Sequence, residues 1–155
     1  MNIEPATIDD AEAILELQKL AYQSEARLYD DRSIPPLTQT LDDLHAEFSR
    51  ARFLKATLEG VIVGSVRATE NEGVCSIGRL IVHPEHQGLG IGTRLMKAIE
   101  AMFPEAKKFE LFTGSKSEGN IRLYSRLGYS ISRTQQLSAK VLLVFMEKPG
   151  RVAVK

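Results

Sequence analysis

Apolar residues recur along this chain at two spacings, and the switches between them divide it into elements. Ile8, Ala11, Ile14, Leu15 and Leu20 fall on or near one face at helical spacing, and Thr7 with Asp10 three residues on makes a cap, so a helix is predicted from about Ile8 to Gln23. A short strand, Asn2 to Pro5, precedes it, and Ser33-Ile34-Pro35-Pro36-Leu37 breaks the pattern behind it. Leu41, Leu44 and Phe48, capped by Thr40, predict a second helix to about Ser49. Strand patterns then follow at Phe53 to Leu58 and Val61 to Thr69, joined by the hairpin signal Glu59-Gly60. Glu70 to Gly73 turns into a third, Val74 to Val82. Beyond it come a helix to about Phe103, a strand Phe109 to Thr113, a helix containing Asn120, and strands Tyr129 to Gln135 and Val141 to Glu147. The predicted order is β-α-α-β-β-β-α-β-α-β-β, one α/β domain over residues 1–155 with a frayed tail from about residue 149.

The central strand, Val74 to Val82, runs through His83-Pro84-Glu85-His86-Gln87-Gly88-Leu89-Gly90-Ile91-Gly92-Thr93 into an amphipathic helix. Glycines there let the backbone take positive φ and approach a bulky ligand, with N–H groups free to point at it. The first helical turn adds unpaired N–H groups and a partial positive charge, which together favour a phosphate or pyrophosphate. Two familiar readings of a glycine turn fail. A P-loop needs Lys after its last glycine, and Gly92 is followed by Thr93-Arg94; a G-x-G-x-x-G turn needs a third glycine where Thr93 stands.

Gln87-x-x-Gly90-x-Gly92 resembles the Q/R-x-x-G-x-G/A signature of the GCN5-related N-acetyltransferases, whose turn holds the pyrophosphate of acetyl-coenzyme A. Asn120-Ile121-Arg122-Leu123-Tyr124-Ser125-Arg126-Leu127-Gly128-Tyr129 is similar to that family's second block, and Val82-x-Pro84 to its V-x-P. The resemblance spans Asn2 to about Lys148 and implies a mixed sheet flanked by helices. It also implies acetyl-CoA as donor, with Leu80 and Val82 offering backbone groups to the pantetheine arm and thioester. Gln87, Gly88, Leu89, Gly90, Ile91, Gly92 and Thr93 would hold the pyrophosphate, Asn120 would hydrogen-bond the arm, and Tyr124 would act as general acid for the thiolate. Each residue also has a plainer reading: Leu80 and Val82 side chains as core, Thr93 as a cap, Asn120 as an N-cap, Tyr124 as a half-buried packing ring.

The chemistry shows why such groups are needed. An amine with a pKa near 10.4 is in its nucleophilic form in only about one molecule in 2,500 at pH 7, so it must lose a proton; the departing thiolate must gain one, and the thioester carbonyl must be polarised. The family's glutamate early on the central strand corresponds here to about Ser76, which cannot serve as a base directly. A water chain to Glu70 or Glu72, or loss of the proton to solvent, are the options. Acceptor choice is expected in the stretch between the first two helices, where Glu25, Tyr29, Asp30 and Asp31 make an acidic wall. Arg79 either lines that pocket, binds an acceptor carboxylate, or ends in water at the sheet rim; strict alternation puts it on the face opposite Leu80. His83 and His86 lack carboxylate or thiol neighbours at ligand spacing, so no metal site is expected.

Composition adds limits. The 155 residues are 43% apolar, enough for one core burying about 70% of the unfolded surface. Twenty basic residues balance twenty acidic ones, which offers no global field toward nucleic acid or an anionic membrane. Cys75, the one cysteine, suits a reducing cytoplasm and reads as a small buried apolar residue. No stretch approaches a membrane span, and a cytoplasmic location is expected. The expected activity is acetyl transfer to a small-molecule or peptide amine. The alternative is a non-catalytic acyl-CoA-binding sensor or interaction module, for which a phenol at Tyr124 would be superfluous. The resemblance further implies dimerisation through the C-terminal strands.

Overall fold

The computed structural model describes residues 1–151. Its strands are β1 (Asn2–Pro5), β2 (Arg52–Leu58), β3 (Val61–Asn71), β4 (Val74–Val82), β5 (Lys108–Gly114), β6 (Ser130–Gln136) and β7 (Leu142–Pro149). They form one sheet in the order β1-β2-β3-β4-β5-β7-β6. Every neighbouring pair is antiparallel except β4 and β5, which are joined by a crossover helix, as a parallel pair requires. Both early hairpins close through two residues in the left-handed region, Glu59-Gly60 (φ 51° and 81°) and Glu72-Gly73 (φ 52° and 85°). Because Glu72-Gly73 alone carries the second reversal, β3 continues to Asn71, past the predicted end at Thr69.

Helices cover both faces. On β2, Phe53 belongs to one apolar cluster and its neighbour Leu54 to the other, as side-chain alternation demands. Leu95, Met96 and Ile99 of α5 (Ile91–Ala101) are fully buried against Val66, Cys75 and Met146. On the opposite face Ala11 and Ile14 of α1 (Ala11–Ala21) meet Leu44 of α4 (Leu41–Phe48), with Phe48 stacked on Phe53 at 3.8 Å. Thr40 caps α4 by accepting from the Asp43 N–H, as expected. Burial pushes the Cys75 thiol up to about 12, so it packs as an inert apolar group.

The predicted first helix is divided. A 3-10 turn (Ile8–Asp10) leads into α1, the chain bends at Tyr22, and α2 (Gln23–Tyr29) carries on to a left-handed Asp30. Hydrogen bonds span the bend, Tyr22 N–H to Gln18 C=O and Ala26 N–H to Tyr22 C=O, so the helical path turns without ending. The proline segment expected only to break helices also starts one, α3 (Pro35–Thr38), because proline is suited to a first turn that needs no N–H donor. The predicted frayed tail is corrected in part: β7 includes Pro149, and Gly150 N–H donates to Lys107 C=O at 2.8 Å. The remainder of that tail, 152–155, lies outside the described residues. β6 is an edge strand exposed at all seven positions. No described helix is long and apolar enough to cross a membrane.

Candidate active site

The site begins where the sheet comes apart. β4 and β5 pair only through Val74–Ser76 against Lys108–Glu110, although β4 runs on to Val82 and β5 to Gly114. Between the diverging strands and the start of α5 opens a cleft of about 640 Å³. Leu80, Val82, Gln87, Gly88, Gly90, Ile91, Gly92, Thr93 and Asn120 all line it. Gly88 and Gly90 have φ of 80° and 81°, strained for any other residue, and a Cβ on either would meet no protein atom. Gly90 is the N-cap of α5 and provides no side-chain hydrogen bond, so the first-turn N–H groups are not consumed by a cap. A Cβ on Gly92 would reach Leu123 at 3.4 Å, which shows how closely α5 approaches α6 (Glu118–Arg126). A glycine cradle, a positive helix end and a free strand edge fit a pyrophosphate on a pantetheine-like arm.

A second cavity of about 170 Å³ lies deeper and shares Tyr22, Glu25, Leu80 and Asn120 with the cleft. Tyr124 lines it, 6% exposed, its ring in an edge-to-face pair with Tyr129. Burial raises the Tyr124 phenol above the ordinary tyrosine range, helped by Tyr22 and Glu25, so it stays protonated at neutral pH. Asn120 is not the N-cap of α6. That position belongs to Ser117, and Asn120 instead donates from Nδ2 to Thr113 Oγ1 at 3.3 Å.

The wall from α2 is narrower than its composition suggested. Glu25 and Tyr29, four apart on one helix face, point into the cavity. Ser117 Oγ donates to Glu25 Oε2 at 2.6 Å and lies 2.9 Å from the Tyr29 hydroxyl, which also accepts from Lys116 N–H. Tyr29 comes so near β5 that a Cβ on Gly114 would lie 1.9 Å from its hydroxyl. Asp30 and Asp31 do other work: the Asp30 carbonyl accepts from Lys140, and Asp31 is bound by the hydroxyl and N–H of Ser33, which hold its carboxyl below the usual range.

Arg79 corrects the alternation argument. Register slips between β3 and β4 at this point, and Arg79 takes φ 51°, so it lines the deeper cavity together with Leu80. Leu89, expected in the pyrophosphate turn, is 66% exposed and does not line the cleft, because its side chain turns outward between two positive-φ glycines. Ser76 Oγ donates to Glu110 on the exposed surface. Glu70 and Glu72 lie at the opposite end of β4 and line neither cavity. His83 Nδ1 accepts from the Glu85 N–H, while His86 faces the cleft. The sequence reading missed Tyr22, Arg122 and Arg126. The i, i+4 spacing of the two arginines was a usable signal, since it puts both on one face of α6.

This chain belongs to the GNAT acetyltransferases: a sequence model described as the Acetyltransferase (GNAT) family matches residues 11–129. Among individual proteins, it is 30% identical over 142 residues to the UPF0157 protein YqkA of Bacillus subtilis, covering 91% of this chain and 41% of that one. The chain thus spans less than half the length of that curated relative. The fold is shared with smu.2055 of Streptococcus mutans (TM-score 0.84, 20% identity, 96% of this chain and 99% of that one). It is also shared with the PaiA N-acetyltransferase of Thermoplasma acidophilum, solved in complex with coenzyme A (TM-score 0.78, 17% identity, 96% and 99%).

Proposed function

We propose that this protein transfers the acetyl group of acetyl-CoA to a primary amine by direct attack within a ternary complex. The observation that carries the reading is the junction of two spaces: a glycine-cradled cleft between splayed β4 and β5, and a deeper cavity lined by Tyr124, Glu25 and Asn120. Acetyl-CoA supplies an acetyl group activated as a thioester. The turn from Gln87 to Thr93 would hold its pyrophosphate, with Arg122 and Arg126 adding positive charge. Backbone groups of Leu80 and Val82 on the free edge of β4 would align the arm and polarise the thioester carbonyl. Asn120, already oriented by Thr113, would hydrogen-bond the arm.

Glu25 is the carboxylate that lines both spaces, and it is the group we assign to draw in the ammonium form and take its proton. The amine nitrogen then bonds to the acetyl carbon as the carbon–sulfur bond breaks. Tyr124 gives its proton to the sulfur, a role suited to a phenol that burial keeps protonated, and the second proton that the nitrogen sheds on becoming an amide restores the phenol. The test is thermal stabilisation by acetyl-CoA together with thiol release across a panel of polyamines, aminoglycosides, amino acids and N-terminal peptides. Stabilisation with turnover of one amine class is the expected result. Stabilisation without turnover of any amine favours the non-catalytic sensor, and no stabilisation at all removes the cofactor assignment.

A further inference from the structure

Two guanidinium groups lie on adjacent strands, Arg67 on β3 and Arg79 on β4, and they are treated very differently. Arg67, 5% exposed, is fully partnered: Nε pairs with Glu47 at 2.7 Å, Nη1 donates to Gln18, and Nη2 donates to Gln39 and Glu47. Arg79 Nε is buried and has no hydrogen-bond partner, and the side chain makes no salt bridge among the described residues. Buried donors in native proteins are nearly always satisfied, and an orphaned one calls for an explanation. The backbone sharpens the question. Arginine is held at φ 51° on a β-bulge, and the bulge turns its side chain into the deeper cavity.

The other charged group on that cavity is Glu25, and Ser117 holds one of its oxygens. Tyr22, which feels both charges, is neutral, because burial keeps its phenol protonated against the charge and hydrogen bond of Arg79, so it offers that guanidinium no negative partner. One small space therefore carries a carboxylate at one place and, at another, a guanidinium whose Nε has no partner and which meets no carboxylate among the described residues. A simple alkylamine would satisfy Glu25 and leave Arg79 without a counter-ion.

We infer that the acceptor bears a carboxylate as well as its amine, and that Arg79 binds the carboxylate while Glu25 receives the amine. A guanidinium presents parallel N–H groups that match a carboxylate in a bidentate pair, so this donor set selects that anion by geometry as well as by charge. A free amino acid or a related small amino carboxylate is the substrate class, and the cavity, at about 170 Å³, is of a size for one small molecule. This inference rests on the acetyltransferase reading above.

The experiment compares matched acceptors differing only at the carboxylate: glycine against glycinamide, and β-alanine and γ-aminobutyrate against propylamine and butylamine. Two readouts are taken, thiol release with acetyl-CoA and acceptor-induced thermal stabilisation in the presence of CoA. The wild type should prefer at least one carboxylate-bearing member over its partner by 10-fold or more in kcat/KM or in apparent affinity. Arg79→Met should reduce that preference to within about 2-fold, and Arg79→Lys should restore part of it. Equal treatment of every pair by the wild type, or a preference that survives in Arg79→Met, overturns the inference. Absence of any response to carboxylate acceptors overturns it too. Loss of stabilisation by acetyl-CoA in the wild type would instead overturn the underlying reading, so the two failures are separable. If Arg79→Met does not fold, Glu25→Gln serves: it should weaken binding of the amino carboxylates while leaving that of propionate, which engages Arg79 alone. Failure to detect propionate with either protein counts against the assignment.

Discussion

The glycine-cradled cleft and the deeper cavity touch at Tyr22, Glu25, Leu80 and Asn120, yet they are built from different materials. The cleft is largely backbone: the free edge of β4, two glycines at positive φ and the first turn of α5, all within about fifteen consecutive residues. The cavity is a meeting of side chains from α2, β4, β5, α6 and the segment before β7. A backbone site tolerates much change in side chains but not a change in chain path. A side-chain site is the reverse, with specificity set by a few groups and the strain or unmet hydrogen bonds they carry. The contrast teaches that, on the proposed reading, the donor site would survive substitutions that change the acceptor.

The hardest blow to the cleft should be Gly90→Glu, which strains a residue at φ 81° and puts a carboxylate where a pyrophosphate would sit. Calorimetric titration with CoA should show no binding, while circular dichroism stays native; retained affinity would break the backbone-cradle account. At the junction, Tyr124→Phe should leave CoA affinity within about 2-fold and lower kcat by about 10²–10⁴-fold, the usual scale for a general acid. Because burial raises this phenol, the wild type should show no decline of kcat from its ionisation below about pH 10, the ordinary tyrosine value. A kcat unaltered by the substitution across the pH range would remove Tyr124 from the chemistry.

Next in size is Glu47→Gln. Arg67 keeps its charge at neutral pH, with burial lowering its pKa to about 10 against the opposing pull of Glu47. Removing its partner should cost about 3 kcal/mol in chemical denaturation, the lower end for an uncompensated buried charge. A loss under about 0.5 kcal/mol would mean that Arg67 and Arg79 differ less than their partners suggest. Gly114→Ala should cost about 1–3 kcal/mol as Tyr29 is driven from β5, raising the acceptor KM and sparing CoA affinity. Equal damage to both ligands would show that the cleft and cavity are not separable. The smallest effect belongs to Ser76→Ala, whose exposed hydroxyl meets only Glu110; kcat and Tm should stay near wild type, and a large fall in kcat would reinstate that position as part of the proton path.

The sequence by itself determined the local parts. Thr40 with Asp43 capped α4, the dipeptides Glu59-Gly60 and Glu72-Gly73 closed the hairpins, and the glycine turn made the floor of the cleft, because each depends on residues within a few positions of one another. Asn120 and Tyr124 were brought to one cavity by helical spacing alone. What only the tertiary structure decided was non-local or contrary to simple periodicity. The bend at Tyr22 aimed Glu25 and Tyr29 at Ser117, about ninety residues away, and left Asp30 and Asp31 outside. A register slip against β3 turned Arg79 to the face that alternation denied it. Leu89 showed the same limit in reverse, lying inside the motif yet outside the cleft. Spacing along a chain fixes which residues share a turn or a face. Which charged groups find partners depends on the packing of distant elements, and that is why Arg67 and Arg79, on adjacent strands, end so differently in the fold.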